Sequence, residues 1–407
     1  MRYLLLLSLT LSYVLADLEL SGHLDVEAQA YLIAPDEKHA SNLTLKQTLE
    51  LRYGEGDLSG YAKLYAQEDS SDFLKETKKN ERTFFRVDEL YARYDLEDDA
   101  LQMGKSIKYW GALELVNIVD VFNPRDLRTD IFNSQKLGVW NISYSHFSED
   151  GELSLVVKLN EADQKMAADS YVYYFLPQFL HYDEHLQTSN GRNYPSTYLS
   201  YSSSVESEYA FDYALILEHG YDSQRYFSRS VLNPLLLHQN SYLVNKVMAY
   251  STLVVDTTLL KLELLYADVI EDKSVGDYSH IAFGFEYTIE NIYDKAGLGI
   301  IAEYYRYDSY ESDKYGDITL YETMQNDIFI GARYSFNNSD DTSVVGGIVH
   351  DVEYDEQVYY MEYESRMNED IKIALDYYYI EPSKSVDTAY ASLGRHQRIG
   401  LNIAYYF

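Results

Sequence analysis

The sequence has no cysteine, and only two tryptophans and six prolines among 407 residues. Without cysteine there is no disulfide scaffold and no thiolate metal site. Beyond the amino-terminal segment, no stretch reaches the ~20 consecutive apolar residues that a spanning helix needs, and mean hydropathy is negative. A helical membrane protein is thereby excluded. No internal repeat recurs at solenoid or propeller spacing. Positive charge is scarce: 33 Lys and Arg stand against 66 Asp and Glu, a formal net charge of −33. That imbalance rules out nucleic-acid binding by bulk electrostatics. Gly-x-Ser-x-Gly, His-Glu-x-x-His and phosphate-cradling glycine loops are missing, and the ten histidines show no metal-ligand spacing. No cofactor is implied, and no enzymatic activity is expected.

Tyrosine is abundant, with 44 residues, and it sits in segments that alternate. Leu18, Leu20, Gly22, Leu24 and Val26 fall on one face of an extended chain, and Glu19, His23, Asp25 and Glu27 on the other. Such alternation recurs with Lys46, Glu50 and Arg52, then Lys63, then Glu89 and Arg93 on the polar side. The clear strands continue to the last residues, where Ile399, Leu401, Ile403, Tyr405 and Phe407 share one face and Arg398 opens the other. The first strand is about fifteen residues long, against ~5–6 in a sandwich. Tight turns and longer polar loops separate the strands alternately, which is the rhythm of a barrel with periplasmic turns and external loops. The sequence therefore predicts an all-β fold, a transmembrane antiparallel β-barrel of about 16 strands, with 18 as the alternative. Segments near 137–146, 198–204, 242–250 and 343–350 are ambiguous in register and decide between the two.

The ends agree with this reading. Residues 1–16 carry one early cation, an apolar stretch and small side chains before Asp17, which predicts a signal peptide ahead of a single barrel domain at 17–407. The ending resembles the assembly signal of bacterial outer-membrane barrels, in which a Phe follows alternating apolar residues. That likeness implies recognition by the barrel-assembly machinery through Ile399, Leu401, Ile403, Tyr405 and Phe407.

Between Leu101 and Lys136 the alternation stops. Met103-Gly-Lys-Ser-Ile-Lys-Tyr-Trp-Gly111 is followed by Val119-Asp-Val-Phe-Asn-Pro-Arg-Asp126. This resembles a Gly-Lys…Trp-Gly…Asn-Pro-x-Asp element of porin-like outer-membrane proteins. Carried over, it singles out Gly104, Lys105, Trp110, Gly111, Asn123, Pro124, Arg125 and Asp126 as a pore-loop motif. Two roles are open, a latch holding a long loop to the wall or a constriction folded into the lumen. A second long connection runs from Asn160 to Pro195.

The polar strand faces would line the lumen: Glu19, His23, Asp25, Glu27, Lys46, Glu50, Arg52, Lys63, Glu89, Arg93 and Arg398. Inward acids exceed inward bases by roughly five on the clear registers. Most of the negative charge is therefore expected as solvated surface in runs such as 68–72, 308–317 and 351–356, bridged to lipopolysaccharide by divalent cations. Arg398 is expected at the barrel seam opposite Glu19, Asp25 or Glu27. Residues 188–192, Thr-Ser-Asn-Gly-Arg, are reminiscent of outer-membrane phospholipase, but Gln187 stands where that family has its histidine. The expectation is a porin in the outer membrane, a passive channel for small hydrophilic solutes with at most mild cation preference, in contact with lipid and possible as an oligomer. A substrate-specific barrel for a polysaccharide or hydrophobic compound, or an adhesive barrel, is the alternative.

Overall fold

The computed structural model describes residues 18–33, 40–73, 81–168, 171–174, 180–206, 208–270, 275–310, 322–385 and 388–407. The signal peptide at 1–16 and most of the acidic run at 308–317 lie outside the described residues. Eighteen strands form the wall. The first six are β1 (Leu18–Ile33), β2 (Ser41–Glu55), β3 (Leu58–Asp69), β4 (Phe84–Asp95), β5 (Asp99–Ser106) and β6 (Val139–Ser148). Next come β7 (Gly151–Lys158), β8 (Ser196–Glu206), β9 (Ala210–Tyr221), β10 (Leu243–Val255), β11 (Thr258–Ile270) and β12 (Tyr278–Tyr293). The ring is completed by β13 (Ala296–Ser309), β14 (Asn326–Ser335), β15 (Ser343–Asp351), β16 (Gln357–Arg366), β17 (Ile371–Glu381) and β18 (His396–Tyr406). Each strand pairs antiparallel with the next, and β18 pairs with β1, so the sheet has no free edge.

The strand number is the larger of the two expected. All four ambiguous segments are strands, and Asp99–Ser106 adds one more where the alternation had looked exhausted. That strand presents small Ala100, Gly104 and Ser106 inward and Leu101 and Met103 outward, so its apolar signal is short.

The wall is inside-out relative to a soluble sandwich. On β12, Ile281, Phe283 and Phe285 are exposed, while His280, Ala282 and Gly284 between them are buried. On β18, Ile399, Leu401, Ile403 and Tyr405 are likewise exposed, as is Phe407 just beyond it, and Arg398 is buried. Apolar residues outside and polar ones inside are stable where the exterior is hydrocarbon and every backbone group is paired within the ring.

Tight hairpins close one end. Asp256 and Asp294 take positive φ of 53° and 55° in two-residue turns, a conformation that Asp tolerates and that matches strand twist. In β4 a bulge opposite Lys63 and Leu64 inserts one residue, which brings both Asp88 and Glu89 to the inner face. The long connections emerge at the opposite end. Not all their acids are solvated, contrary to expectation: Asp69 is buried against Arg82 at 2.9 Å. Asp351 and Glu356 are buried too. Asp351 caps the Glu353 and Tyr354 amides, and Glu356 accepts from the Ser383 amide and the Thr388 hydroxyl. Acids in these runs serve as loop caps, because loop amides have no ladder partner of their own.

Candidate functional site: a loop across the barrel interior

The connection between β5 and β6, residues 107–138, turns into the barrel. Its roots are held by the motif. The Asn123 amide donates to the Ser106 and Leu137 carbonyls at 3.1 and 2.9 Å, and its oxygen accepts from the Lys108 N–H at 2.8 Å. Pro124 gives its carbonyl to Leu137 N–H at 2.8 Å. Trp110 packs edge-on to Phe122 and against Tyr198 of β8. Gly111 has φ +126°, and a Cβ there would collide with the Asn117 side chain at 2.3 Å. Arg125 bonds the Ser134 carbonyl and reaches Asp120 at 3.5 Å. Asp126 is wholly buried between Arg86 of β4, at 2.6 Å, and Arg128, at 2.7 Å.

The middle of the loop has no helix or ladder to satisfy its amides. Two wall carboxylates do so instead. Glu263 of β11 accepts from the N–H groups of Ala112 (2.6 Å) and Leu113 (3.2 Å) with one oxygen. Its other oxygen accepts from Ile118 (2.7 Å) and Val119 (3.3 Å). Glu303 of β13 accepts from Glu114 and Leu115 at 2.7 and 3.1 Å, and from the Tyr305 hydroxyl, which itself accepts from Val116 N–H at 3.2 Å. Glu114 then pairs with Arg333 of β14. β13 stands eight strands from β5 in a ring of eighteen, so the loop runs from one side of the barrel to nearly the opposite one. In the sequence Glu263 and Glu303 are simply two acids on the inward face of their strands. An inward carboxylate carries the same sequence signal whether it faces water or clamps a loop.

The rest of the loop returns along β17, β18 and β4. Asp130 bonds Arg398 at 2.7 Å, and Phe132 stacks on Tyr378 at 4.2 Å. Arg82 donates to the Arg128 and Thr129 carbonyls while its guanidinium covers the Tyr171 ring at 4.1 Å. Burial works to raise the Asp130 carboxyl, but the Arg398 charge and hydrogen bond prevail and hold it below the ordinary value. Burial pushes the Lys136 ammonium down, although Asp120 lies 2.6 Å away.

One expected placement is corrected. Arg398 lies opposite Tyr31, and its carboxylate partners are Asp130 and Asp376 rather than the acids of β1. Register puts Glu27 four residues down the strand, where Lys46 takes it at 2.8 Å. Lys105 of the motif lies in β5 and faces away from the lumen. It shares the outer face of β5 with Leu101 and Met103, pairs across to Trp140, and donates to the Val87 carbonyl at 2.6 Å beside the β4 bulge. Gly104, next to it, has φ +146° and approaches the β4 backbone so closely that a Cβ would lie 2.3 Å from the Leu90 carbonyl.

The other named residues face the interior. Asp25 bonds Asn402 at 3.2 Å, with His23 at 3.4 Å. Glu50 pairs with Arg52 at 2.6 Å, Arg93 with Asp95 at 2.7 Å, and Glu89 accepts from Ile107 N–H at 3.0 Å. Lys63 lies opposite both Glu50 and Glu89 in register, and Glu19 opposite Arg52. The connection after β7 also turns inward: Tyr173 bonds Arg398 and Tyr171 bonds Tyr31, both hydroxyls at 2.7–2.8 Å. A third inward connection, between β9 and β10, went unforeseen. It is anchored by Asp222 to Lys246 at 2.7 Å, and its Leu236–Ser241 strand joins Tyr226–Arg229 and His181–Thr188 in a small sheet.

Neither a protein-family model nor a curated protein sequence matches the chain. Solved structures do. OpdO of Pseudomonas aeruginosa matches with a TM-score of 0.60 at 9% identity, over 97% of this chain and 98% of that one. OccAB2 of Acinetobacter baumannii gives 0.55 at 10% identity, over 96% and 98%. OccK5 (OpdH) of P. aeruginosa gives 0.54 at 11%, over 97% and 98%. At these identities the likeness is one of fold, and together with the apolar exterior it makes this chain an 18-stranded antiparallel β-barrel of the outer-membrane type.

Proposed function

We propose that the protein is a passive outer-membrane channel for small hydrophilic solutes, with the 107–138 loop setting the size limit. The observation that carries this is the path of the loop, rooted at β5 and clamped by Glu263 and Glu303 on the far wall. A latch would need only the Asn123 contacts at the root. Clamping the middle of the loop across the lumen narrows a barrel that is otherwise wide enough for water.

The residues Glu19, His23, Asp25, Glu27, Lys46, Glu50, Arg52, Lys63, Glu89 and Arg93 line the route beside and below the loop. Their charges are mostly paired in place, as Lys46 with Glu27 and Arg52 with Glu50. A wall of paired charges supports weak ion preference and offers no unpaired basic track for a polyanion. Lipopolysaccharide and lipid contact the exterior, and the exposed stripe Ile399–Phe407 serves assembly.

The test is the conductance of the purified, folded protein in a planar bilayer. Steady conductance with a small reversal potential in a salt gradient supports the channel. A protein that folds as a barrel yet conducts nothing favours the adhesive reading instead.

A further inference from the structure

On the inner face of β13, two successive inward positions are Gly297 and Gly299, so the wall there presents no side chain. A cavity of ≈ 370 Å³ opens over them, at the short-turn end of the lumen. One bank is acidic, with Glu286 and Glu290 of β12; the other is basic, with Arg333 of β14 and Lys295 in the hairpin turn. Glu286 lies 3.3 Å from Lys261 and 3.9 Å from Arg333, so its charge is shared. The Glu290 carboxylate and the Lys295 ammonium have no side-chain partner among the described residues. Asn337 donates to the Lys295 carbonyl at 2.8 Å. A trough with one unpaired charge of each sign on facing banks repels the second end of neither a cation nor an anion if both ends belong to one molecule. A solute with a single charge meets one bank that attracts it and one that does not.

We propose that this trough is a binding station for compact zwitterions, which place an ammonium toward Glu290 and Glu286 and a carboxylate toward Lys295 and Arg333. The volume is at the small end of the ~300–1,000 Å³ of ligand pockets, which limits the occupant to a few heavy atoms beyond the two charged groups. The proposal rests on the channel reading and narrows its solute class. It also places the station directly beneath the loop, since Arg333 holds Glu114.

Three probes on the same three-carbon skeleton separate the possibilities: β-alanine, propionate and propylamine. Saturation-transfer NMR on the detergent-folded protein is expected to show β-alanine contacts, with propionate and propylamine at least about tenfold weaker. Glu290→Gln removes the acidic partner without touching any described hydrogen bond. Gly297→Val fills the trough, and nothing lies within 3.8 Å of a Cβ there. Both variants are expected to lose the β-alanine signal while keeping the heat-modifiable gel shift of a folded barrel. Equal binding of all three probes, or β-alanine binding unchanged in both variants, overturns the station. Conductance is recorded separately: a protein that binds β-alanine yet never conducts contradicts the channel reading and leaves the station standing.

Discussion

Gly22 and Phe407 exchange both backbone hydrogen bonds, the Gly22 N–H donating to the Phe407 carbonyl at 3.1 Å and the Phe407 N–H to the Gly22 carbonyl at 3.0 Å. The pair closes the ring at the short-turn end, where β1 meets β18. Space is as tight as the bonding: a Cβ at Gly22 would lie 2.3 Å from the Thr48 carbonyl oxygen. Deleting Phe407 removes both bonds and is expected to cost about 1–3 kcal/mol at ~0.5–1.5 per net bond. Gly22→Val is expected to do more damage, because backbone must move. Urea titration of the folded barrel, read by the heat-modifiable band, measures both.

The Glu263 clamp predicts a mobile constriction when weakened. In Glu263→Gln one oxygen remains to accept, and the amide that replaces the other turns donors toward N–H groups. Each N–H left unsatisfied costs about 1–3 kcal/mol, enough to free part of the 112–119 segment without unfolding the wall. Single-channel recordings are expected to show larger and noisier conductance than the parent protein. Unchanged, quiet conductance would remove Glu263 from the account of the constriction.

Acid is expected to loosen the returning half of the loop. The Asp130 carboxyl is depressed below its ordinary value because Arg398 outweighs burial. A depressed folded-state value means the stabilisation is complete above the ordinary value and is lost as pH falls through the folded one. The window therefore opens below about pH 4. Asp222, held down by Lys246 in the same way, adds to it. Melting temperature is expected to fall between pH 7 and pH 3 in the parent and to fall less in Asp130→Asn, which starts lower at pH 7.

Lys105 of the motif contrasts with Lys63 of the inner wall. Because it points outward, Lys105→Gln is expected to leave the reversal potential unchanged, whereas Lys63→Gln shifts it toward cations. A charged residue near the rim of the lipid face costs only about 0–1 kcal/mol, so the barrel accommodates the wild-type lysine. A shift in reversal potential from Lys105→Gln would return that side chain to the lumen.

Legibility in the sequence followed the range of the interactions. The wall was readable because period-two alternation is local, and it returns in strand after strand between Leu18 and Phe407. The motif likeness named Lys105 without giving its face, although Lys105 continues the outward series Leu101, Met103. Arg398 was not readable in full: its face follows from alternation, yet Asp130 comes from a loop 268 residues away. The buried Asp69, Asp351 and Glu356 sit in runs that look solvated, because burial there depends on loops folding over them. Gly297 and Gly299 are unremarkable as letters and become a trough only between the banks of β12 and β14.

The central claim is that the 107–138 loop limits a conducting pore, and bilayer conductance with and without residues 112–119 tests it most directly. The account predicts steady conductance in the parent protein and a severalfold rise in the deletion, with both running as folded barrels on unboiled gels. Equal conductance in the two folded proteins would contradict it.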